Sequence, residues 1–289
     1  MKRYLALQKI VELGSFSAAA QALGYTQSAV SQMVASLEDE WSMKLLRRSR
    51  TGAQLTIEGA ELYPYIERMI FQYCAMQEKA KDIQGLETGI IRMGTLASIS
   101  AHWMPSLLKE FQQQYPQVAF VIHQGDYTSI QEWIKTGAID FGFVSPKAVS
   151  GIQTLPLKKG PMLAVLPEGH PLAEKEIIPL QDLTEEPFIL LEEGHYYEPL
   201  EAFRAIGAEP DVRYTIHDDY AIMTMVEAGL GVSILAELVL HRTNYRLALR
   251  QTDPPIFRTV AIGYKDKESL PMASKRFIAY LQSRIDALP

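Results

Sequence analysis

Residues 14–37 read Gly-Ser-Phe-Ser-Ala-Ala-Ala-Gln-Ala-Leu-Gly-Tyr-Thr-Gln-Ser-Ala-Val-Ser-Gln-Met-Val-Ala-Ser-Leu. Gly14 ends a helix in which Tyr4, Leu5, Leu7, Ile10 and Val11 recur at helical spacing, and Ser15 or Ser17 can cap the next. That second helix runs through Ala18, Ala19, Ala20 and Leu23 and stops at Gly24, where left-handed backbone is cheap only for glycine. Thr26 is the N-cap candidate for a third helix containing Ala29, Val30, Met33, Val34 and Leu37. Two helices about a tight glycine turn predict a helix-turn-helix, with small Ala20 permitting close approach and Val30 supplying the packing. Gln27, Ser28, Ser31 and Gln32 lie toward the amino end of the second helix of the pair, which in this motif enters a major groove. Glutamine can pair bidentately with adenine, and serine with several base edges.

Lys44, Arg47, Arg48, Ser49, Arg50, Thr51 and Gly52 follow, ahead of Leu55. Arginines beside a glycine turn suit phosphate or minor-groove contact and predict a wing, although alone they would also read as a solvated loop. Charge is uneven along the chain. Residues 1–58 hold seven Lys/Arg against five Asp/Glu, while the rest hold 21 against 29. The whole molecule, with net charge −6 and pI near 5.6, is therefore no generic polyanion binder. The length of 289 residues allows two or three domains, and 47% apolar residues exclude wholesale disorder. One cysteine excludes an internal disulfide or a multi-thiolate metal site within one chain. Gln8, Lys9 and Glu12 break up the only stretch that resembles a signal peptide, and no long apolar run follows; a cytoplasmic protein with no membrane partner is expected.

Beyond the wing, Leu62, Ile66, Met69, Tyr73, Met76, Ala80 and Ile83 alternate in steps of four and three. A helix from Thr56 to Gln84 would be roughly 40 Å long, with Pro64 in its first turns. The seam favours pairing with a second chain; the bland reading is a helix packed on its own body. Cys74 reads as a packing residue. From Ile90 onward strands and helices alternate: strand 90–94, helix 104–115, strand 118–123, helix 130–136 and strand 140–144 make a βαβαβ unit with a mainly parallel sheet. A second set follows, with strands at 162–166, 188–191, 214–216, 232–234 and 260–264 and helices at 221–228 and 274–285. Ligands sit at the carboxyl ends of strands in such sheets. The residues there are Thr95, Ser98 and Ser100, then Gln124, then Ser145, and in the second set Glu192, Glu193, His195, Tyr196, His217, Asp218, Asp219 and Tyr220.

The run Gly14-Ser15-Phe16-Ser17, Ala19-Ala20, Leu23-Gly24, Thr26 to Gln32, Leu37-Glu38, Leu45, Arg48, Thr56 and Glu58-Gly59 resembles, in order and spacing, the amino-terminal signature of the LysR-type transcriptional regulators. The length and layout of the remaining chain are also similar to that family. Departures are Gln32, Met33 and Ala35, where many members carry a further base, Trp41-Ser42 in place of a usual Leu-Gly, and Leu46 in place of a common Phe. The resemblance implies an α/β protein with an all-α winged helix-turn-helix head (1–58), a long linker and dimerisation helix (59–89) and an effector-binding domain (90–289). That domain is expected to be two-lobed and periplasmic-binding-protein-like, with lobe one at 90–161 and 266–289 and lobe two at 162–265. It further implies a homodimer assembling to a homotetramer, double-stranded DNA and a small-molecule effector as partners, and RNA polymerase as a further one. DNA contacts are expected from Thr26, Gln27, Ser28, Ser31, Gln32, Arg47, Arg48 and Arg50. Effector contacts are expected from Thr95, Ser98, Ser100, Gln124, Ser145, Tyr196, Asp219 and Tyr220.

No catalytic residue, cofactor or metal is expected. His102, His123, His195 and His217 fall near strand ends but lack the spacing of a metal motif. Gly229-Leu230-Gly231 follows a helix rather than a strand, so it reads as a turn and not as a dinucleotide fingerprint. Nucleophile elbow, P-loop and metalloprotease helix are missing. The alternatives are a small-molecule receptor or an α/β enzyme with a non-functional DNA-binding head.

Overall fold

The computed structural model describes residues 1–49, 52–83, 89–241 and 243–289. They divide into two compact units, one of residues 1–80 with 136–138, the other of 81–135 and 139–289.

The first unit runs α1 (Lys2–Leu13), α2 (Phe16–Leu23), α3 (Gln27–Trp41), β1 (Leu46–Ser49), β2 (Gly52–Leu55) and α4 (Ile57–Ile83). The expected punctuation is in place. Gly14 and Gly24 adopt φ of 62° and 70°, Ser15 Oγ accepts the Ala18 N–H, and Thr26 Oγ1 accepts the Ala29 N–H. Ala20 and Val30 are buried together with Leu7, Ile10, Val34 and Leu37. Helix α3 ends on Ser42, a non-glycine residue at φ 52°. Glycine, expected here from the resemblance, would adopt this left-handed turn at less cost than serine.

The wing is an antiparallel hairpin in which Leu46 faces Leu55 and Arg47 faces Gln54. It is tied to the helices at both ends. Ala53 N–H donates to Gly14 O at 2.8 Å. Glu38 is buried near the end of α3, and its Oε1 accepts the N–H groups of Leu45 at 2.9 Å and Leu46 at 3.2 Å. Burial opposes its ionisation, but the Lys44 hydrogen bond at 2.7 Å and those two N–H groups outweigh this and lower its pKa. Thr56 joins wing to helix: its Oγ1 donates to Lys44 O at 2.6 Å and accepts the Gly59 N–H at 2.9 Å. A Cβ at Gly59 would stand 2.2 Å from Leu45 O.

Helix α4 spends its first turns on its own head. Ile66 and Ile70 belong to the head core, and Leu62 and Cys74 pack against it. The buried stripe thus steps 62, 66, 70, 74. Of the expected heptad seam, Met69 and Met76 are exposed, and the side chain of Ile83 lies outside the described residues.

The second unit comprises β3 (Gly89–Thr95), α5 (Ala97–His102), α6 (Met104–Gln114), β4 (Val118–Gln124), α7 (Tyr127–Thr136), β5 (Phe141–Val144), β6 (Gln153–Pro167), β7 (Ile177–Pro179), β8 (Pro187–Leu191), α8 (Glu198–Ala205), β9 (Asp211–Ile216), α9 (Asp219–Glu227), β10 (Ser233–Ala236), α10 (Glu237–Leu240), β11 (Leu247–Asp253), β12 (Ile256–Tyr264) and α11 (Met272–Arg284). β3 pairs in parallel with both β4 and β5, as the βαβαβ reading requires. The sheet runs in the order β4-β3-β5-β12-β6-β11-β7, antiparallel from β5 through β12 and β6 to β11 and parallel again between β11 and β7, while β8 and β9 pair in parallel elsewhere. β6 begins at Gln153, well before the expected 162. Its first half (Pro156, Lys158, Lys159, Gly160, Pro161) has the composition of a loop, and long pairing with β12 overrides that.

β6 and β12 run between two apolar cores. One gathers Trp103, Phe111, Phe141, Phe143 and Phe277. The other side holds Phe188, Phe203, Leu180 and Ile234, with Ile189, Ile222 and Met223 close by. β12 serves both: Ile256 lies in the second core, and Val260, Ile262 and Tyr264 lie in the first. Among the described residues no helix is long and apolar enough to cross a membrane.

Candidate nucleic-acid interface and ligand cleft

Helix α3 has two faces. Val30, Val34 and Leu37 are buried, while Gln27, Ser28 and Gln32 are exposed and Ser31 is half-buried. The side-chain amides of Gln27 and Gln32 therefore stand in solvent on the first turns of the helix. Thr26, also exposed, is committed to the cap and lies 3.0 Å from Ser28 Oγ. Arg47 is exposed on β1 and is held loosely by Gln54 Oε1 at 3.4 Å. The side chain of Arg48 and the whole of Arg50 lie outside the described residues.

In the second unit, strand ends converge on a cavity of about 230 Å³. One side is lined by Leu96, Ala97 and Ser98 after β3 and by Gln124, Gly125 and Asp126 after β4. The other side is lined by Leu191, Glu192 and Glu193 after β8 and by His217 and Asp219 after β9. Arg258 completes the wall from the middle of β12. The β8 loop reaches across: Tyr127 N–H donates to Glu193 O and His195 N–H to Thr128 Oγ1, each at 3.2 Å. Gly194 makes that approach possible. Its φ is 93°, and a Cβ would lie 2.2 Å from Thr128 Oγ1.

The electrostatics of this cavity are set by buried charge. Arg258 is 5% exposed; its Nη2 donates to Ser98 Oγ at 2.8 Å and its Nη1 stands 3.7 Å from Glu193 Oε1. Burial works against the guanidinium, but Tyr127, Glu193, Glu198 and Asp219 around it hold its pKa above the ordinary value. Burial pushes Glu193 up to about 8, Arg258 opposes this, and Glu198, Asp219 and Asp126 add to it. Burial likewise raises Asp219 to about 6, with Arg258 opposing and Asp218 reinforcing. Glu198, behind the wall, is raised chiefly by burial; it accepts the Tyr127 hydroxyl at 3.2 Å and is bonded by Ser145.

Two family models match the chain. The bacterial regulatory helix-turn-helix protein of the lysR family covers residues 1–60, and the LysR substrate binding domain covers 84–286. The chain belongs to the LysR family.

Among its curated relatives, this LysR-family chain is 34% identical to the uncharacterized HTH-type transcriptional regulator YvbU of Bacillus subtilis, over 93% of each chain. It is 28% identical to the transcriptional dual regulator GltC of the same organism, over 86% of this chain and 85% of that protein. A full-length OxyR variant from Pseudomonas aeruginosa superposes with a TM-score of 0.72 at 25% identity, covering 99% of this chain and 93% of that one. Full-length CbnR in complex with its target DNA shares the fold at a TM-score of 0.71 and 18% identity, covering 98% of each. The protein is thus a DNA-binding transcriptional regulator of the LysR type with an effector-binding domain.

Of the residues expected around the effector of this LysR regulator, Ser98, Gln124 and Asp219 line the cavity. Ser100 and Tyr220 line a neighbouring cavity that shares Ala97, Gln124 and His217 with it. Thr95 is fully buried with its hydroxyl 2.5 Å from that of Ser100; Ser145 is turned to Glu198; Tyr196 packs against the first core. These three are not on the cavity wall. Arg258, Glu193 and His217 were missing from the expected set, although Glu193 and His217 stand at strand ends. Arg258 had a signal of its own. It shares the inward face of β12 with Ile256 and Val260, and an arginine on a buried face needs acidic partners.

Proposed function

We propose that this regulator reads its operator with Gln27, Ser28, Ser31 and Gln32 in the major groove, while Thr26, Arg47, Arg48 and Arg50 hold the phosphates. The exposed polar face at the start of α3, backed by a buried apolar face, supports this most directly. The working unit is a homodimer assembling to a homotetramer through the linker helix of 59–89, acting in the cytoplasm and without catalysis. The exposed Met69 and Met76 leave an apolar surface for that pairing. The region from 90 onward, with lobe one at 90–161 and 266–289 and lobe two at 162–265, binds a small effector in the cavity lined by Ser98, Gln124 and Asp219. Effector binding favours one lobe arrangement and so changes the spacing of the heads, DNA bending and access of RNA polymerase.

The test is anisotropy binding of the double variant Gln27→Ala, Ser31→Ala to the intergenic DNA beside the gene, with competitor DNA and a salt titration. Losing a bidentate glutamine–adenine contact is worth roughly 1–3 kcal/mol in discrimination and losing the serine base-edge bond adds to that, so selectivity should collapse while salt-dependent non-specific binding persists. Unchanged selectivity in this variant would sink the assigned reading face.

A further inference from the structure

The cavity wall carries more buried acid than base. Glu193 and Asp219 line it and are each 8% exposed, Glu198 lies directly behind, and Arg258 is the buried cation set against all three. Among the described residues no other residue donates a hydrogen bond to the carboxylate of Glu193 or of Asp219, and Arg258 Nη1 stands 3.7 Å from Glu193 Oε1, outside hydrogen-bond range. One oxygen of Glu198 is buried without a partner. A buried carboxylate short of donors is costly, and the carboxylates of Glu193 and Asp219 face the cavity with acceptor capacity to spare, Asp219 being bonded by its own backbone N–H and Glu193 facing Arg258 at 3.7 Å.

We propose that the cleft takes a small effector bearing a protonated nitrogen, an ammonium or amidinium group, seated between Glu193 and Asp219, with Ser98 and Gln124 bonding its polar remainder. This rests on the reading of the cavity as the effector site. A polyatomic cation supplies several N–H donors, each able to form a charge-assisted bond to a waiting carboxylate. Among the described residues no group of three or more His, Cys, Asp or Glu is arranged to hold a metal ion, which disfavours a compact cation. An anion fares worse. It would stand against the carboxylates of Glu193 and Asp219, Arg258 is already the counter-charge to those two and to Glu198, and the N–H groups of Tyr220 and Ala221 at the start of α9 are taken by Asp218 Oδ1 at 2.8 and 3.0 Å.

The site is also linked to protons. Glu193 faces Arg258 from β12, Asp219 from α9, Glu198 at the start of α8, and Asp126 and Tyr127 at the start of α7. With its pKa near 8, Glu193 is mostly protonated in the empty cleft at neutral pH, and capture of a cation expels that proton. Amine affinity therefore rises with pH up to about 8.

Thermal-shift and calorimetric titrations of the full-length protein test this. The probes are agmatine, putrescine and histamine as cations, 1,4-butanediol as a neutral molecule and glutarate as an anion, each to about 10 mM. At least one amine should raise Tm, more at alkaline than at acid pH, and the neutral and anionic probes should not. Glu193→Gln and Asp219→Asn keep the shape of each side chain and bury no new charge, so both should fold. Each should weaken the amine about 10- to 100-fold. The proposal is overturned if no amine shifts Tm at any pH, if the neutral probe matches the amines, or if both variants keep full amine affinity. Glutarate binding that Ser98→Ala abolishes would also overturn it, while leaving the cleft standing as the effector site. Amine binding that leaves operator affinity unchanged would keep the cation site and defeat the effector reading instead.

Discussion

Replacing Arg258 with Met removes the buried cation set against Glu193, Glu198 and Asp219 and strips Ser98 of its donor, while roughly preserving volume. Breaking a buried charge cluster from one side typically costs about 3–5 kcal/mol, because the remaining charges stay desolvated. The loss should depend on pH in a definite direction. A carboxylate whose folded pKa exceeds its unfolded value binds more protons when folded, so its charged form destabilises the fold as pH rises. In the native protein this penalty develops for Glu193 between its ordinary 4.5 and about 8, and for Asp219 between 3.8 and about 6. Without Arg258 both pKa values climb further. The full loss of about 3–5 kcal/mol is expected near pH 8.5 and should shrink to about 1–2 kcal/mol near pH 5.5, where most of the cluster carries protons. Urea unfolding at the two pH values, followed through the near-UV signal of Trp103 and its neighbours, measures this. Adding Glu193→Gln should restore part of the alkaline loss. An equal loss at both pH values, untouched by the second substitution, would refute an electrostatic role and leave only packing.

Glu38→Ala should destabilise the head by about 2–3 kcal/mol, since the buried N–H of Leu45 loses its carboxylate acceptor. The lowered pKa of Glu38 means that its contribution in the native protein is present above the ordinary carboxylate range and disappears as pH falls through the folded value, which acid titration of head unfolding reads out. Ser42→Gly should stabilise the head by about 1 kcal/mol by relieving the left-handed backbone, visible as a raised urea midpoint with unchanged slope. Gly194→Ala should cost about 2–3 kcal/mol and break the bonds of the β8 loop to Tyr127 and Thr128, which amide exchange at Tyr127 and His195 would report.

The head was legible residue by residue because its signals are local. Glycine turns and hydroxyl caps act within three or four positions, so Gly14, Ser15, Gly24 and Thr26 announce their helices without help from the rest of the chain. The body was legible where apolar runs coincide with strands, as in β3, β4 and β5. It was opaque in the first half of β6, where prolines and lysines mask a strand that exists through its pairing with β12. The linker helix shows a subtler limit. Its sequence supports both a four-three seam and a four-four stripe; contact with the head selects Ile66 and Ile70, and no periodicity within the helix could have decided between them. The cleft was half legible, since strand ends locate a site, but they do not say which polar groups face it. Thr95 and Ser145 turn inward to neighbours that are distant in sequence or hidden in a turn. The pairing of Arg258 with Glu193, 65 positions apart, is a tertiary fact.

The joint between wing and linker has a mechanical consequence. Thr56 bonds Lys44 and Gly59 at once, and Gly59 lies against Leu45 with no room for even a methyl group. Ile66 and Ile70 fasten the next two turns to the head core. The first turns of α4 and helix α3 are therefore joined through one core and one wing, with no swivel between them. A twist applied to the first turns of α4 is passed to the wing and to the core beneath α3 instead of being absorbed at a hinge.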